Sequence, residues 1–368
     1  MPPSSCETLP KVSLVVVNYN GRQYLRECVR SLLATSYPNF DVVLVDNGSS
    51  DGSVDSLGGL LQDPRIRVLR LRSNLGYGRA CNLGADQASG EILAFLNNDL
   101  VFRNDWLDSL ISVFRRDPTV GAIQPKLVMR DDPKRLDAAG GFIDIFGCAH
   151  ERRGVSIAWP NPDGVFYAKG AAIAVPSNLF SRLGRFDEDF FLYYEETDLC
   201  WRIWLSGHRV LYVPDSVVFH VRAGTTRSPD RARAVDMYTM ARVNRFRMIL
   251  KNYEAKYLLA FMPVILLNHF KDMLLLIVLG AHYSAVLATL EVPWRILKDM
   301  RKIVVKRRLV QRLRRVSSGK LIGRVILLAS PVFVPHEFAY LHLSRKHKFR
   351  PAAKNAWSSN PEHPRGKV

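Results

Sequence analysis

Glu91-Ile-Leu-Ala-Phe-Leu-Asn-Asn-Asp99 decides how the chain is read. An apolar run of strand length stops abruptly in three short polar residues. Nothing polar breaks Ile92 to Leu96, as expected of a strand buried on both faces of a sheet. Two stretches upstream are built the same way: Val12-Ser-Leu-Val-Val-Val17 runs into Asn18-Tyr-Asn20, and Val42-Val-Leu-Val45 runs into Asp46-Asn47. Between them, Leu25, Cys28, Val29, Leu32 and Leu33 recur at helical spacing after Gly21. That helix should stop before Tyr37-Pro38, because the residue before a proline disfavours α geometry. Ile66 to Leu71 reads as a third strand and Gly76 to Ala88 as a second helix. Alternating strands and helices predict an α/β fold with a parallel sheet, in which ligands bind at the carboxyl ends of the strands. The tips at Asn18-Tyr-Asn20, Asp46-Asn47 and Asn97-Asn98-Asp99 should therefore meet in one crevice.

Downstream the pattern loosens. Residues 130–165 show little periodicity and several Gly and Pro, and read as a variable excursion. Phe166 to Val175 reads as a strand interrupted by Lys169-Gly170-Ala171. The stretch Phe186 to Arg202 enters a helix near Thr197 that runs to about Ser206. Arg209 to Val213 and Val217 to Val221 read as short strands, the second carrying His220.

The chain has 368 residues and a net charge of +18. With 48% hydrophobic residues it can bury a sizeable core, which excludes disorder over the whole length. The first 250 residues hold no apolar run near the ~20 residues that span a bilayer, which excludes a polytopic membrane protein. The basic excess is local: residues 291–368 hold 19 Lys and Arg against 4 acids. The five cysteines (Cys6, Cys28, Cys81, Cys148 and Cys200) form no Cys-x-x-Cys pair, which speaks against a disulfide framework or zinc knuckle and fits a reducing compartment. Val12 to Val17 is too short for the apolar core of a signal peptide.

From Tyr257 the composition changes. Apolar runs at 257–270, 273–290 and 321–334 flank a basic stretch from Arg301 to Arg315. Interfacial helices have this makeup, and basic residues beside them are drawn to anionic headgroups at about 1 kcal/mol each. The 18-residue run at 273–290 is at the short limit for a span, so in-plane association is expected over crossing, with a buried helical hairpin as the alternative. Long apolar runs without aromatics spaced for stacking argue against nucleic acid. The expected organisation is an N-terminal tail (1–10), an α/β domain (11–250), a helical, apolar and basic membrane-associated region (251–345) and a disordered basic tail (346–368).

Several residue groups point to chemistry. A carboxylate at a strand tip, such as Asp99, is a hard oxygen ligand for Mg²⁺ or Mn²⁺, ions that usually share a site with phosphates; the same letters also open ordinary turns. Asp46 can accept a hydrogen bond from a nucleobase or ribose, or close an Asx-turn; Tyr19 can stack on a base or pack beneath the loop. Glu195, Glu196 and Asp198 follow an aromatic wall, Phe190 to Tyr194, that would raise a carboxylate pKa and suit a general base, or they act as helix caps. His220 is a ligand if its strand ends at the same crevice. No Gly-x-Gly-x-x-Gly follows the first strand, which argues against a nicotinamide oxidoreductase.

Taken together and in order, Val15-Val-Val-Asn-Tyr-Asn-Gly21, Val45-Asp-Asn-Gly-Ser-Ser-Asp-Gly-Ser53, Asn74-Leu-Gly-Tyr-Gly78 with Asn82, Leu96-Asn-Asn-Asp-Leu100, Gly170-Ala171 and Tyr194-Glu-Glu-Thr-Asp-Leu-Cys-Trp-Arg202 resemble the family 2 inverting glycosyltransferases of GT-A fold, in particular the bacterial rhamnosyltransferase-like branch. The resemblance covers about residues 11–250. It implies a Rossmann-like mixed sheet and a nucleoside-diphosphate sugar donor bound by Tyr19, Asn20, Asp46, Asn82 and Asn98. It further implies a Mg²⁺ or Mn²⁺ ion held by Asp99 and His220, and a catalytic base at Glu196, with Glu195 as the alternative. Gly170, Ala171, Trp201 and Arg202 would face the sugar or the acceptor. The metal motif has one Asp after two Asn, and the base is Glu where the family has Asp. Thymidine diphosphate-rhamnose as donor, a glycan or lipid-linked glycan as acceptor, and the cytoplasmic face of the cell membrane follow from the same resemblance. The alternative reading is a non-catalytic protein of the same fold that binds a nucleotide sugar or organises partners.

Overall fold

The computed structural model describes residues 9–152, 164–221, 231–278 and 283–328. Residues 1–8 with Cys6, most of the excursion after Arg152, and everything from Ala329 on, including the expected basic tail, lie outside the described residues.

β1 (Val12–Asn18), α1 (Arg22–Leu33), β2 (Phe40–Asp46), a 3₁₀ turn (Asp55–Gln62), β3 (Ile66–Arg70), α2 (Tyr77–Asp86) and β4 (Ile92–Asn97) follow the alternation that the sequence predicts. Then come β5 (Leu100–Phe102), α3 (Trp106–Arg116), β6 (Val120–Met129), β7 (Leu136–Ala138), β8 (Gly141–Asp144), β9 (Ala149–Glu151), β10 (Ala172–Pro176) and α4 (Ser177–Arg182). α5 (Glu195–Leu205), β11 (Arg209–His220), α6 (Arg231–Asn252), α7 (Ala255–Val278), α8 (Tyr283–Leu313), α9 (Ser318–Leu321) and β12 (Ile326–Leu327) complete the described chain.

The main sheet has the order β3-β2-β1-β4-β10-β6-β11-β5, with β7 paired to β6. β1, β2, β3 and β4 are parallel, whereas β10 runs antiparallel to both β4 and β6. The sheet is mixed rather than purely parallel. Both faces are covered, and the alternation is strict. Val15, Val43, Val45 and Phe95 enter one core with Phe180 and Trp201. Leu14, Val16, Leu44 and Leu96 enter the other with Leu25 and Trp106. Two buried faces explain why the strands read as unbroken apolar runs.

Three local readings change. The two short strands around His220 are one strand, β11, with a register shift between Val213 and Val217. α5 begins at Glu195, two residues before the expected entry, so both glutamates lie in its first turn. Residues 130–165 contribute β7, β8 and β9, and β8 pairs with β12 from the far end of the described chain.

The C-terminal helices pack onto this core. Asp272, which looked like an interruption of the apolar run, is fully buried inside α7 and accepts a 2.7 Å hydrogen bond from Arg242 of α6. The basic stretch is partly internal as well. Arg307 donates to the carbonyl oxygens of Leu250 (2.6 Å) and Tyr253 (2.5 Å), and Gln311 donates to that of Lys251 at 2.9 Å. These bonds satisfy the last carbonyls of α6, where a cation also complements the helix dipole.

Candidate active site

Parallel registry sets three strand tips level. Asn18 lies opposite Asp46 on β2, and Val17 lies opposite Asn97 on β4. Side chains then join the tips: Asn98 Nδ2 donates to Asn18 Oδ1 (2.7 Å), and Asn18 Nδ2 donates to Ser53 (2.8 Å) and Ser49 (3.1 Å). Asn20 adopts φ 50°, a left-handed conformation that Asn tolerates, and its Oδ1 accepts from the Ser50 amide at 2.9 Å. Asp46 is buried, accepts a 3.2 Å bond from the Ser49 amide, and lies 4.0 Å from the Arg70 guanidinium. Tyr19 is half-buried between these loops.

The end where the resemblance expects an ion is built by β5 and β11. Their antiparallel pairing puts His220 opposite Leu100, next to Asp99. His220 Nε2 stands 3.3 Å from Asp99 Oδ2, and its Nδ1 stands 2.7 Å from Asp137 Oδ2. Burial alone would lower the imidazole pKa; the hydrogen bonds to Asp137 and Asp99 outweigh it and raise it. Burial would raise the Asp137 carboxyl, but His220 and Lys169 hold it well below the usual carboxylate range. A second carboxylate that fixes one imidazole nitrogen and aims the other is the usual outer support of a metal-ligating histidine.

The base end lies across β10. The Asn97 amide donates to the Ala171 carbonyl at 2.9 Å, so Gly170-Ala171 runs beside the β4 tip. On its other side Gly170 faces Glu196: a Cβ built there would sit 3.5 Å from Glu196 Cδ. Tyr77 of α2 donates to the Gly170 carbonyl at 2.5 Å. Gly170-Ala171 thus links the β4 tip, next to the Asp99–His220 pair, to Glu196.

The two glutamates differ. Glu195 is 4% exposed and turned toward α2, where burial and the Glu196 charge push its pKa well up. Glu196 is only half-buried. Its pKa is pushed up to about 7, by burial and by the charge of Glu151, against opposing hydrogen bonds from backbone amides including that of Gly170. A carboxylate poised near neutrality and open to the crevice suits proton abstraction; the buried one does not. The turn before them is strained: Tyr193 and Tyr194 adopt φ 71° and 70°. α6 holds that turn, with Asn244 Nδ2 donating to the carbonyls of Leu192 (2.9 Å) and Tyr193 (3.0 Å). Strain of this kind persists only where the surroundings fix it, and it collects at functional sites.

Three expected site residues lie elsewhere. Trp201 is fully buried, 5.5 Å from the Phe166 ring and 4.7 Å from that of Tyr253, so it packs the core rather than a sugar. Arg202, the next residue, is buried too, donating to Asp198 (3.0 Å) and to the Leu183 carbonyl (2.6 Å). Asn82 is committed to the turn after α4: it donates to Phe186 O (3.0 Å) and Glu188 (3.1 Å) and accepts from the Phe186 amide (3.1 Å). In each case the partners are internal, and the side chain does not face the crevice. Asp137 and Asn244, which support this region, carry no local signal in the sequence, whereas Asn18 stood in a predicted strand tip and Lys169 was read only as part of a strand interruption.

Comparison with known proteins agrees with this architecture. The profile described as "Glycosyl transferase family 2" matches residues 13–205. The chain is 32% identical over 235 residues to "O-antigen biosynthesis protein RfbC" of Myxococcus xanthus, covering 60% of this chain but 18% of that protein. It is 30% identical over 240 residues to "N-acetylglucosaminyl-diphospho-decaprenol L-rhamnosyltransferase" of Mycobacterium tuberculosis, covering 58% of this chain and 76% of that one. Among solved structures, GalNAc-T7 with UDP, GalNAc and Mn²⁺ superimposes with a TM-score of 0.54 at 19% identity, over 68% of this chain and 49% of that one. At that identity the likeness speaks for the fold alone. Strand tips, sheet order, sequence profile and relatives agree: the chain belongs to glycosyl transferase family 2, with the GT-A fold and rhamnosyltransferase-like relatives.

Proposed function

We propose that the protein moves a sugar from a nucleoside-diphosphate donor to a hydroxyl of a glycan or lipid-linked glycan, inverting the anomeric centre in one displacement. The observation that carries this is Glu196: half-open, poised near pH 7, and across Gly170 from the loop bearing Asp99. Glu196 takes the proton of the acceptor hydroxyl as that oxygen bonds to the anomeric carbon. The bond from that carbon to the diphosphate breaks on the opposite face and its electron pair leaves with the nucleotide. Asp46 and Tyr19 would hold the base and ribose. The relative named a decaprenol L-rhamnosyltransferase supports a lipid-linked acceptor and rhamnose as the sugar; thymidine diphosphate as its carrier is our reading.

Asp99 and His220 fit a divalent ion. One carboxylate and one oriented imidazole leave room for diphosphate oxygens and water, as Mg²⁺ and Mn²⁺ sites do. Bound there, the ion would supply charge neutralisation for the leaving diphosphate. Against a non-catalytic role, a binding protein has no need of a carboxylate near neutrality beside its ligand. Glu196→Gln tests the reading: transfer falls about 10²–10⁴-fold, while nucleoside diphosphate with Mn²⁺ still raises the melting temperature. Unchanged turnover would exclude Glu196 as the base.

The membrane reading is supported by α7 and α8. Outward faces of both helices are apolar, with Leu267, Phe270 and Leu274 on α7 and Leu290, Trp294 and Leu297 on α8, each at least half exposed. Exposed Lys298, Arg301, Arg308 and Arg312 interleave with them. α7 is long and apolar enough to cross a membrane, but the buried Arg242–Asp272 pair ties its inner face to α6, so in-plane contact with an anionic surface at the cytoplasmic face is the better fit. Flotation with anionic vesicles, and none with neutral ones, is the expected result; equal recovery from both would remove the electrostatic part of the reading.

A further inference from the structure

Between the ion end and the base end of the crevice lies a side chain with a partner on each side. Lys169 is mostly buried, and its Nζ stands 2.9 Å from Asp137 Oδ2 and 3.5 Å from Glu151 Oε2. Asp137 is the carboxylate that holds His220 Nδ1, and the same oxygen accepts from both. Glu151 ends β9 and is the acid whose charge bears on Glu196. The backbone is fixed too, since the Lys169 amide donates to the buried Gln124 side chain and the next residue is Gly170. The row Asp99–His220–Asp137–Lys169–Glu151 thus ends at the acid whose charge bears on Glu196.

We propose that Lys169 is a positioning residue that ties the two halves of the site together, holding Asp137 so that His220 is aimed at the ion and holding Glu151 so that its charge on Glu196 is tempered. This deepens the glycosyl-transfer reading and rests on it for the roles of the two ends. An ammonium suits the task because it is a compact charge with three donors, enough for two carboxylates at once. The groups facing Glu196 are Glu151 from β9, Tyr77 from α2, and Glu195 and Cys200 from its own helix. Lys169 is the cation paired to the first of these.

The signs of the effects separate this role from simple packing. Lys169→Met exposes Glu196 to an untempered Glu151, so the Glu196 titration moves to higher pH. Glu151→Gln removes that charge and moves it to lower pH. Lys169→Arg keeps the wild-type value. At the other end, Lys169→Met weakens Mn²⁺-dependent binding of dTDP or UDP about 10-fold, the scale of an outer-shell loss, whereas Glu151→Gln leaves it unchanged. The Glu196 titration is read by ¹³C NMR of glutamate-labelled protein, assigned with Glu196→Gln, and needs no substrate. It therefore tests the tie even if transfer is never observed. Nucleotide binding is read by thermal shift. Movement of both ends in Lys169→Met, with rescue by Lys169→Arg, is the expected result. A Glu196 titration that stays in place or falls, or movement of one end only, overturns the proposal. Should Lys169→Met fail to fold, Glu151→Gln decides: an unmoved Glu196 titration there overturns it as well.

Discussion

Asp137 Oδ2 lies 2.7 Å from His220 Nδ1, and the opposite nitrogen of the same ring faces Asp99 at 3.3 Å. The imidazole is therefore held in one orientation from behind. Asp137→Asn keeps the shape but weakens the hold, and we expect Mn²⁺ to support nucleotide binding at roughly 10-fold higher concentration than in the wild type. Titration calorimetry with Mn²⁺ in the presence of nucleoside diphosphate checks this. An unchanged Mn²⁺ affinity would make Asp137 a purely structural carboxylate.

Gly21 leaves space that the strand tips use. A Cβ there would sit 2.0 Å from Asn98 Nδ2 and 2.5 Å from Asn18 Oδ1, the two atoms whose hydrogen bond joins β1 to β4. Gly21→Ala must push that pair apart. The expected cost is about 1–3 kcal/mol of stability together with weaker nucleotide binding, read by denaturant melts and thermal shift. Normal nucleotide binding in this variant would show that the Asn18–Asn98 bond does not shape the donor pocket.

Glu195 carries a pH signature. Its folded pKa is raised well above the ordinary 4.5 by burial and by the charge of Glu196. The folded state therefore favours the protonated form, and the associated stability is present below pH 4.5 and lost as pH rises above it. Glu195→Gln removes this loss. The variant should be more stable than the wild type at pH 8 and nearly equal to it at pH 4, while keeping Glu196 and its chemistry. Melting temperatures across that range give the answer, and a constant difference would contradict the assignment.

Asp187 behaves in the opposite sense. Burial would raise its carboxyl, but Lys251 of α6 and Lys306 of α8 outweigh it and hold the pKa well below the ordinary 3.8. Its contribution is present above that value and lost as pH falls below it. Lys306→Met should cost about 2 kcal/mol at pH 7 and less in strong acid. Because the 187–189 turn leads into Tyr193 and Tyr194, we also expect activity to fall more than stability does. Equal losses at both pH values would mean that the ion pair contributes nothing.

The central sheet was legible because burial on both faces leaves long apolar runs, and because Asn18, Asp46 and Asp99 close those runs with polar tips. Glu196 and His220 were singled out only through motif order, since each alone has a structural reading. Trp201 and Arg202 misled for a physical reason: a helix turns 100° per residue, so residues five and six after Glu196 point elsewhere. Asp137 and Lys169 were invisible. β7 is only three residues long, too short for any period to show, and Lys169 meets Asp137 across 32 residues of chain. The basic C-terminal stretch read as wholly membrane-facing, because composition does not tell which cations turn inward to cap α6 and which remain outside.

The contact between Lys306 and Asp187 spans 119 residues. During translation, at about 5–20 residues per second, the sheet emerges whole well before α8 does. For several seconds a ribosome-bound chain carries the Asp187 turn without one of its counter-ions. The last support of the turn that carries Tyr193 and Tyr194 is thus supplied by the far end of the described chain.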